Sequence, residues 1–249
     1  MNFLTKTTLR KVPELTIFFW IIKLLSTALG ESTSDYLVFH INPYIAVALG
    51  AAGLIVSLFL QLFVKRYVAW IYWLTVVMVA IFGTMAADVL HVGFDIPYLI
   101  SSIFFSVSLA VIFILWFLVE KTLSIHSILN LRRELFYWAT VMATFALGTA
   151  LGDLTAATFG LGYLLSGVLF GVIFIIPALG FKFAKWNAIF SFWFAYVITR
   201  PLGASFADYF GKSTLGGIGI GDEITSAVLA ILIIIFVIYL TLSHKDTKE

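Results

Sequence analysis

Apolar residues run along this chain in long blocks broken by short polar punctuation. Runs such as Leu229 to Leu240 and Ile103 to Val119 do not alternate between apolar and polar positions. A membrane helix needs about 20 apolar residues to cross ~30 Å of hydrocarbon. A membrane β-barrel would instead show alternating segments of about 10 residues. The pattern therefore predicts helices near 13–37, 43–64, 67–91, 96–120, 130–156, 160–182, 186–210 and 220–243. Asn42-Pro43 and Pro97 mark turns that open the second and fourth of these. A longer Gly-rich turn, Gly211 to Gly221, precedes Asp222 and Glu223 ahead of the last.

The blocks repeat. Trp20 to Asp35, Trp73 to Asp88, Trp138 to Asp153 and Trp193 to Asp208 align without gaps. In each, Gly follows Trp by ten positions (Gly30, Gly83, Gly148, Gly203) and Asp follows by fifteen. A small residue precedes each Asp: Ser34, Ala87, Gly152 and Ala207. From the Gly and Asp content, one Trp would match by chance about twice in a thousand. Four of the seven Trp match, so the chain carries four copies of one two-helix unit. Their approximate extents are 10–64, 65–120, 130–182 and 186–243, within a single membrane domain covering 1–249.

Composition agrees with a lipid environment: 62% of residues are hydrophobic and 11% are charged. A soluble domain needs roughly a quarter of its residues charged. Cysteine is absent, which excludes disulfides, thiolate metal sites and thiol catalysis. No cleavable signal is evident after the first apolar run. The net charge of +2 sits in loops and is no nucleic-acid footprint. Lys6, Arg10, Lys11, Lys65, Arg66, Lys121, Arg132, Arg133, Lys182, Lys185, Lys245 and Lys248 precede the Trp helices or end the chain, while the opposite side holds only Lys212. The positive-inside rule then puts both termini in the cytoplasm, makes the four repeats parallel, and sets each Asp near the external end of its helix. The expected fold is all-α and integral to the membrane, with eight transmembrane helices in a pseudo-fourfold arrangement.

An aromatic–Trp pair opens every unit: Phe19-Trp20, Tyr72-Trp73, Tyr137-Trp138 and Phe192-Trp193. In this the chain resembles a family of bacterial membrane proteins built from four tandem copies of a repeat of unknown function. Each copy in that family has two transmembrane regions and a characteristic Trp. The likeness covers about residues 10 to 243. It implies an eight-helix protein of the bacterial inner membrane, and it supplies no substrate and no catalytic residue.

On a helix the pairs Gly30/Ser34, Gly83/Ala87, Gly148/Gly152 and Gly203/Ala207 each share a face. Small residues four apart let helix backbones approach closely in lipid, so these glycines are expected to pack the repeats together. Each Asp lies about 100° to 140° away from that face. Stepping inward from Asp by four, seven and eleven gives Glu31, Ala28, Leu24; Thr84, Ile81, Val77; Thr149, Ala146, Met142; and Ala204, Pro201, Val197. Such a stripe suits an outward-open cavity, and suits ordinary helix packing equally well.

Ionisable groups in a membrane span cost several kcal/mol and usually face a cavity, a partner or a path. Asp35, Asp88, Asp153 and Asp208 are therefore either solvated helix ends at the interface or a ring of oxygen ligands. As a ring they need a cation or shared protons for balance. Oxygen ligands favour hard cations, and His40 and His91, both external, are candidates to add nitrogen. Only the first repeat carries Glu31 and Lys23, and only the fourth carries Arg200-Pro201. An Arg in hydrocarbon demands a carboxylate, and Glu31 or Asp208 is nearest in depth. That pair is either locked or switchable.

The leading expectation is a transporter, proton- or ion-coupled, of a small cation such as a divalent metal. The alternatives are a cation channel and a membrane scaffold or sensor without transport. An enzyme is not expected, because no H-E-x-x-H, nucleophile elbow or phosphate loop is present. No cofactor and no nucleic-acid partner is expected. The expected partners are the lipid bilayer and the cargo cation or proton, and no sequence feature calls for an oligomer.

Overall fold

The computed structural model describes residues 10–247. Lys6 and Lys248 of the basic tally lie outside the described residues. Among those described there are eight α-helices: α1 (Ile17–His40), α2 (Pro43–Phe63), α3 (Ala69–Asp88), α4 (Tyr98–Glu120), α5 (Leu131–Asp153), α6 (Gly162–Phe183), α7 (Ala188–Gly211) and α8 (Asp222–Ser243). Short polar caps set several starts. Asn130 Oδ1 accepts from Arg133 N at 2.9 Å, and Asn187 Oδ1 accepts from Ile189 N at 2.9 Å. Asn42 caps α2, with Pro43 in the first turn, where a missing N–H costs nothing. Helix α1 begins at Ile17, four residues later than expected, with Thr16 as its cap, its side chain accepting from Phe19 N.

The helices sort into two classes by burial. The first helix of each repeat, α1, α3, α5 and α7, is mostly buried. The second helix of each buries only a narrow stripe. In α2 that stripe is Ala46, Gly50, Leu54, Ser57 and Gln61, residues three or four apart on one face. The rest of α2, α4, α6 and α8 exposes Ile, Leu, Val and Phe over its whole length. A soluble protein does not present apolar surface on that scale, so lipid must cover it. Six helices are long and apolar enough to cross a membrane: α2, α3, α4, α5, α6 and α8. The other two, α1 and α7, carry Lys23, Glu31 and Asp35, and Arg200 and Asp208, all of them buried.

The buried helices pack side by side: α1 on α3, α3 on α5, α5 on α7, and α7 back on α1. Each outer helix lies on the inner helix of the next repeat. Thus α2 packs on α3, α4 on α5, α6 on α7, and α8 on α1. The repeated residues make these junctions. Trp73 contacts Phe19 (ring centroids 5.7 Å apart), Trp138 contacts Tyr72 (5.7 Å), Trp193 contacts Tyr137 (6.2 Å) and Trp20 contacts Phe192 (5.9 Å). Every Trp therefore rests on the aromatic residue that opens the preceding repeat. Such ring pairs contribute about 0.5–1.5 kcal/mol each beyond their buried area. Trp193 also donates to the Leu123 carbonyl at 2.9 Å.

The glycines close the same junctions farther along. A Cβ on Gly30 would strike Ala80, one on Gly83 would lie 2.7 Å from Phe145 Cβ, one on Gly148 would strike Arg200, and one on Gly203 would strike Thr27. Each struck residue stands seven positions after its own repeat's Trp. Backbones meet closely because no side chain intervenes.

At one end of the bundle the segments rich in Lys and Arg are tied together. Lys11 Nζ pairs with Glu134 Oε2 at 2.5 Å, and Gln61 Nε2 donates to Glu134 Oε1 at 2.9 Å. Glu120 pairs with Arg132 and Arg133. Tyr67 donates to Asp246 at 2.5 Å, and Glu14 N donates to the Asp246 carbonyl. The four Asp lie at the opposite ends of their helices.

Candidate functional site

The inner helices present one row of residues each to the centre of the bundle. Counting from Trp, the row falls at −1, +3, +7, +11 and +15, a step of four throughout. At −1 sit Phe19, Tyr72, Tyr137 and Phe192, all buried, with the Tyr72 and Tyr137 hydroxyls 2.5 Å apart. At +3 Lys23 is buried, its ammonium 4.0 Å from the Phe145 ring centre and 4.1 Å from that of Tyr196. Its Nζ has no hydrogen-bond partner among the described residues, so the two ring faces are its compensation.

Arg200 occupies the next level, fully buried. Its Nη2 lies 2.5 Å from Glu31 Oε2 and 2.7 Å from Thr149 Oγ1, and also meets Thr84 Oγ1. Its Nη1 donates to the Thr27 carbonyl at 3.3 Å. Glu31, Thr84 and Thr149 are the +11 residues of the first three repeats, while the fourth has Ala204 there, which leaves room. One guanidinium thus ties all four inner helices at a single level. The planar fork suits this, since two nitrogens held apart reach the Thr27 carbonyl and the Glu31 level together, which a single ammonium does not.

Beyond Arg200 the +15 residues form two sets. Glu31, Asp35 and Asp208 offer oxygens within 4.8 Å of one another. Lys212, the first residue past α7, places its ammonium 2.8 Å from both Asp35 Oδ2 and Asp208 Oδ1. Burial pulls the Lys212 pKa down, but Asp208, Asp35 and Glu31 outweigh it and hold it well above the usual lysine value. The turn 211–221 makes this reach, folding back so that Ile218 N donates to the Tyr209 carbonyl at 2.6 Å, with Gly216 and Gly219 at positive φ. The second set is Asp88, His91 and Asp153, again within 4.8 Å. Here Asp88 and Asp153 each run directly into a π-helical turn, Val89–Gly93 and Leu154–Thr158. Helices α1 and α7 have no such turn after their Asp.

Asp35 and Asp208 meet, Asp88 and Asp153 meet, and Glu31 takes Arg200 as its partner rather than leaving it to Asp208. His91 joins the carboxylates, whereas His40 is exposed, bonds the Tyr36 carbonyl at 2.8 Å and lies outside both sets. The stripe at steps of four, seven and eleven is corrected. Its +8 and +4 residues leave the centre, and Ala28 and Leu24 line an apolar cavity of about 430 Å³ between α1, α7 and α8 that carries none of the carboxylates. The partners Thr84 and Thr149, and the bridging role of Lys212, were not foreseen. Lys212 had one signal: it is the only Lys or Arg in a turn on the Asp side. A second cavity, of about 650 Å³, opens beside Lys212 and is lined by Tyr36, Tyr163, Asp222 and Glu223.

No curated protein and no solved structure matches the chain. A family model matches residues 18–67, 71–122, 136–185 and 191–246, four segments that each contain one Trp–Gly–Asp unit. The chain belongs to the family described as Repeat of Unknown Function (DUF347), which it carries four times in tandem.

Proposed function

We propose that this protein is a carrier in the bacterial inner membrane that moves a small cation, coupled to protons or a second ion, through the centre of four pseudo-fourfold repeats. In this reading all eight helices cross the bilayer, both termini are cytoplasmic, and the Asp face outward. The cyclic Trp and Gly junctions support the repeat arrangement. The charged α1 and α7 span because their polar groups face one another rather than lipid.

The observation that carries the proposal is the charge at the Asp end. Glu31, Asp35, Asp88, Asp153 and Asp208 converge there, and only Arg200 and Lys212 pair with them among the Lys and Arg described. Negative charge in excess calls for a cation or protons to balance it. Asp222 and Glu223, in the first turn of α8, add to the field at the cavity beside Lys212, where the helix N-terminus tolerates them.

The centre favours a carrier over a channel. Arg200 bonds across it, and below lie Lys23, Tyr196 and the collar of Phe19, Tyr72, Tyr137 and Phe192. An open pore has no such plug. Passage through a closed centre needs alternating access, in which Arg200 releases Glu31 when a cation or proton takes its place.

Purified protein in vesicles is the test. Wild type is expected to take up a cation against a proton gradient, with saturation. Asp153→Asn and Asp208→Asn are expected to abolish uptake while the protein still expresses and elutes as wild type. Uptake of no cation across Mg²⁺, Mn²⁺, Zn²⁺, Ca²⁺ and Na⁺, or uptake indifferent to both substitutions, sinks the carrier.

A further inference from the structure

The two carboxylate sets are chemically unequal. Lys212 and Arg200 already answer Glu31, Asp35 and Asp208. Neither Asp88 nor Asp153 lies within ion-pair distance of a Lys or Arg among the described residues; their neighbour is His91. That histidine is 7% exposed, and its Nδ1 stands 3.8 Å from Asp153 Oδ2 with no hydrogen-bond partner among the described residues.

Its other ring nitrogen is held by Ser101. Ser101 Oγ lies 2.6 Å from His91 Nε2 and 3.1 Å from the Tyr98 carbonyl. A serine hydroxyl has one proton, and the carbonyl can only accept it. With that proton on the carbonyl, Oγ accepts from Nε2–H, and the neutral ring then carries its lone pair on Nδ1, toward Asp153. In that tautomer the Nδ1 lone pair faces the two carboxylates, and a metal cation or a shared proton joins three such acceptors. The Tyr98 ring, 4.6 Å from the imidazole, holds the ring from the other side.

We propose that Asp88, His91 and Asp153 bind a first-row transition-metal dication, with Mn²⁺ and Zn²⁺ as the fitting class. Mixed oxygen and imidazole donors without sulfur select these over soft Cu⁺ and over Mg²⁺ or Ca²⁺, which prefer oxygen alone. A four-coordinate ion with ~2.1 Å bonds sets its ligands roughly 3.4 Å apart. The observed spread of up to 4.8 Å closes by small rotations of the two partly exposed Asp side chains. The Ser101 bond to Nε2 is the outer contact that metal-bound histidines characteristically make. The π turns directly after Asp88 and Asp153, the first of which carries His91, are a feature often found at functional sites. The assignment deepens the carrier reading and rests on it only for the ion's status as cargo.

The test is equilibrium binding of Mn²⁺ or Zn²⁺ alone to the full chain in detergent or nanodiscs. Wild type is expected to hold one ion per chain at this site. Asp153→Asn and His91→Gln are expected to weaken it by tenfold or more, and Ser101→Ala by about tenfold. His40→Ala is expected to change nothing. Cobalt(II) absorption reads the imidazole directly, so the ligand-field band must shift in His91→Gln. Should that variant fail to fold, Ser101→Ala and Asp88→Asn still decide the matter. Absence of binding up to millimolar metal, or binding indifferent to these substitutions, overturns the site and leaves His91 an ion-pair partner of Asp153. Binding without vesicle uptake keeps the site and removes the carrier. Cation uptake unaltered by His91→Gln keeps the carrier and overturns the bound ion's status as its cargo.

Discussion

At the residue scale the fold turns on Arg200. A buried guanidinium is tolerable only with its acceptors in place, and here they come from Glu31, Thr84, Thr149 and the Thr27 carbonyl. Removing one partner strands the other, so Arg200→Met is expected to cost roughly 3–5 kcal/mol of stability. The double variant Glu31→Gln with Arg200→Met should recover part of that loss. Thermal melting in detergent checks both, and strictly additive losses would show that the two side chains are not coupled. Lys212 gives a second, pH-linked expectation. Its folded pKa lies above the unfolded value of ~10.4. Its stabilisation is therefore complete below ~10.4 and fades only as pH rises past the folded value. Lys212→Met should then lower the melting temperature in detergent at pH 9, below the point at which the lysine itself is lost. Although depth left Glu31 and Asp208 as equal candidates, the need of Arg200 for a carboxylate was legible from depth alone, since charge in hydrocarbon must pair. The two threonines were not, because Thr in an apolar helix most often bonds its own backbone, as Thr84 and Thr149 also do.

At the scale of elements, the repeat register of Trp, Gly and Asp was readable because the same junction recurs four times. The direction of the central row was not. A row at steps of four turns 40° per step and follows the i±4 ridge of the helix. Close-packed glycine faces favour crossings that track this ridge, whereas steps of four and seven assume the shallower coiled-coil seam. The π turns were equally hidden, since they alter which residue follows Asp88 and Asp153 in space without a signature in composition. The glycines make the packing testable. Gly30→Ala must push into the Ala80 backbone, whose carbonyl carbon would lie 2.8 Å from the new Cβ, and Gly203→Ala must push into Thr27 and the Ala28 nitrogen at 2.9 Å. Backbone cannot yield as a flexible side chain can, so each is expected to lose about 1–3 kcal/mol. Gly152→Ala meets nothing closer than 3.8 Å and should be neutral or gain up to about 1 kcal/mol from helix propensity. Equal melting temperatures for Gly152→Ala and Gly203→Ala would mean the junction has been misplaced.

At the scale of the molecule, four similar units make a centre whose chemistry is two plus two. The first and fourth repeats share Lys212, and the second and third share His91. A symmetric ring of four Asp would bind whatever sits on the axis, but this divided ring holds an internal ammonium on one side and open ligands on the other. That division matters for transport only if the Asp end faces outward, which the basic residues imply: Lys11, Arg132 and Arg133 are tied together at the far end. The chain has no cysteine, so single introduced cysteines report orientation without background. Phe94→Cys and Ser213→Cys, both exposed at the Asp end, are expected to react with a membrane-impermeant maleimide on intact cells. Arg66→Cys and Lys185→Cys, exposed at the opposite end, should react only after permeabilisation. The pairs also discriminate among topologies. If α7 failed to cross, Ser213 would change sides while Phe94 would not, and the two could not report the same side. With α4, α5 and α6 each crossing, concordant labelling of Phe94→Cys and Ser213→Cys from outside requires α7 to span as well, despite Arg200 and Asp208, so that the four helices between them return the chain to the external face.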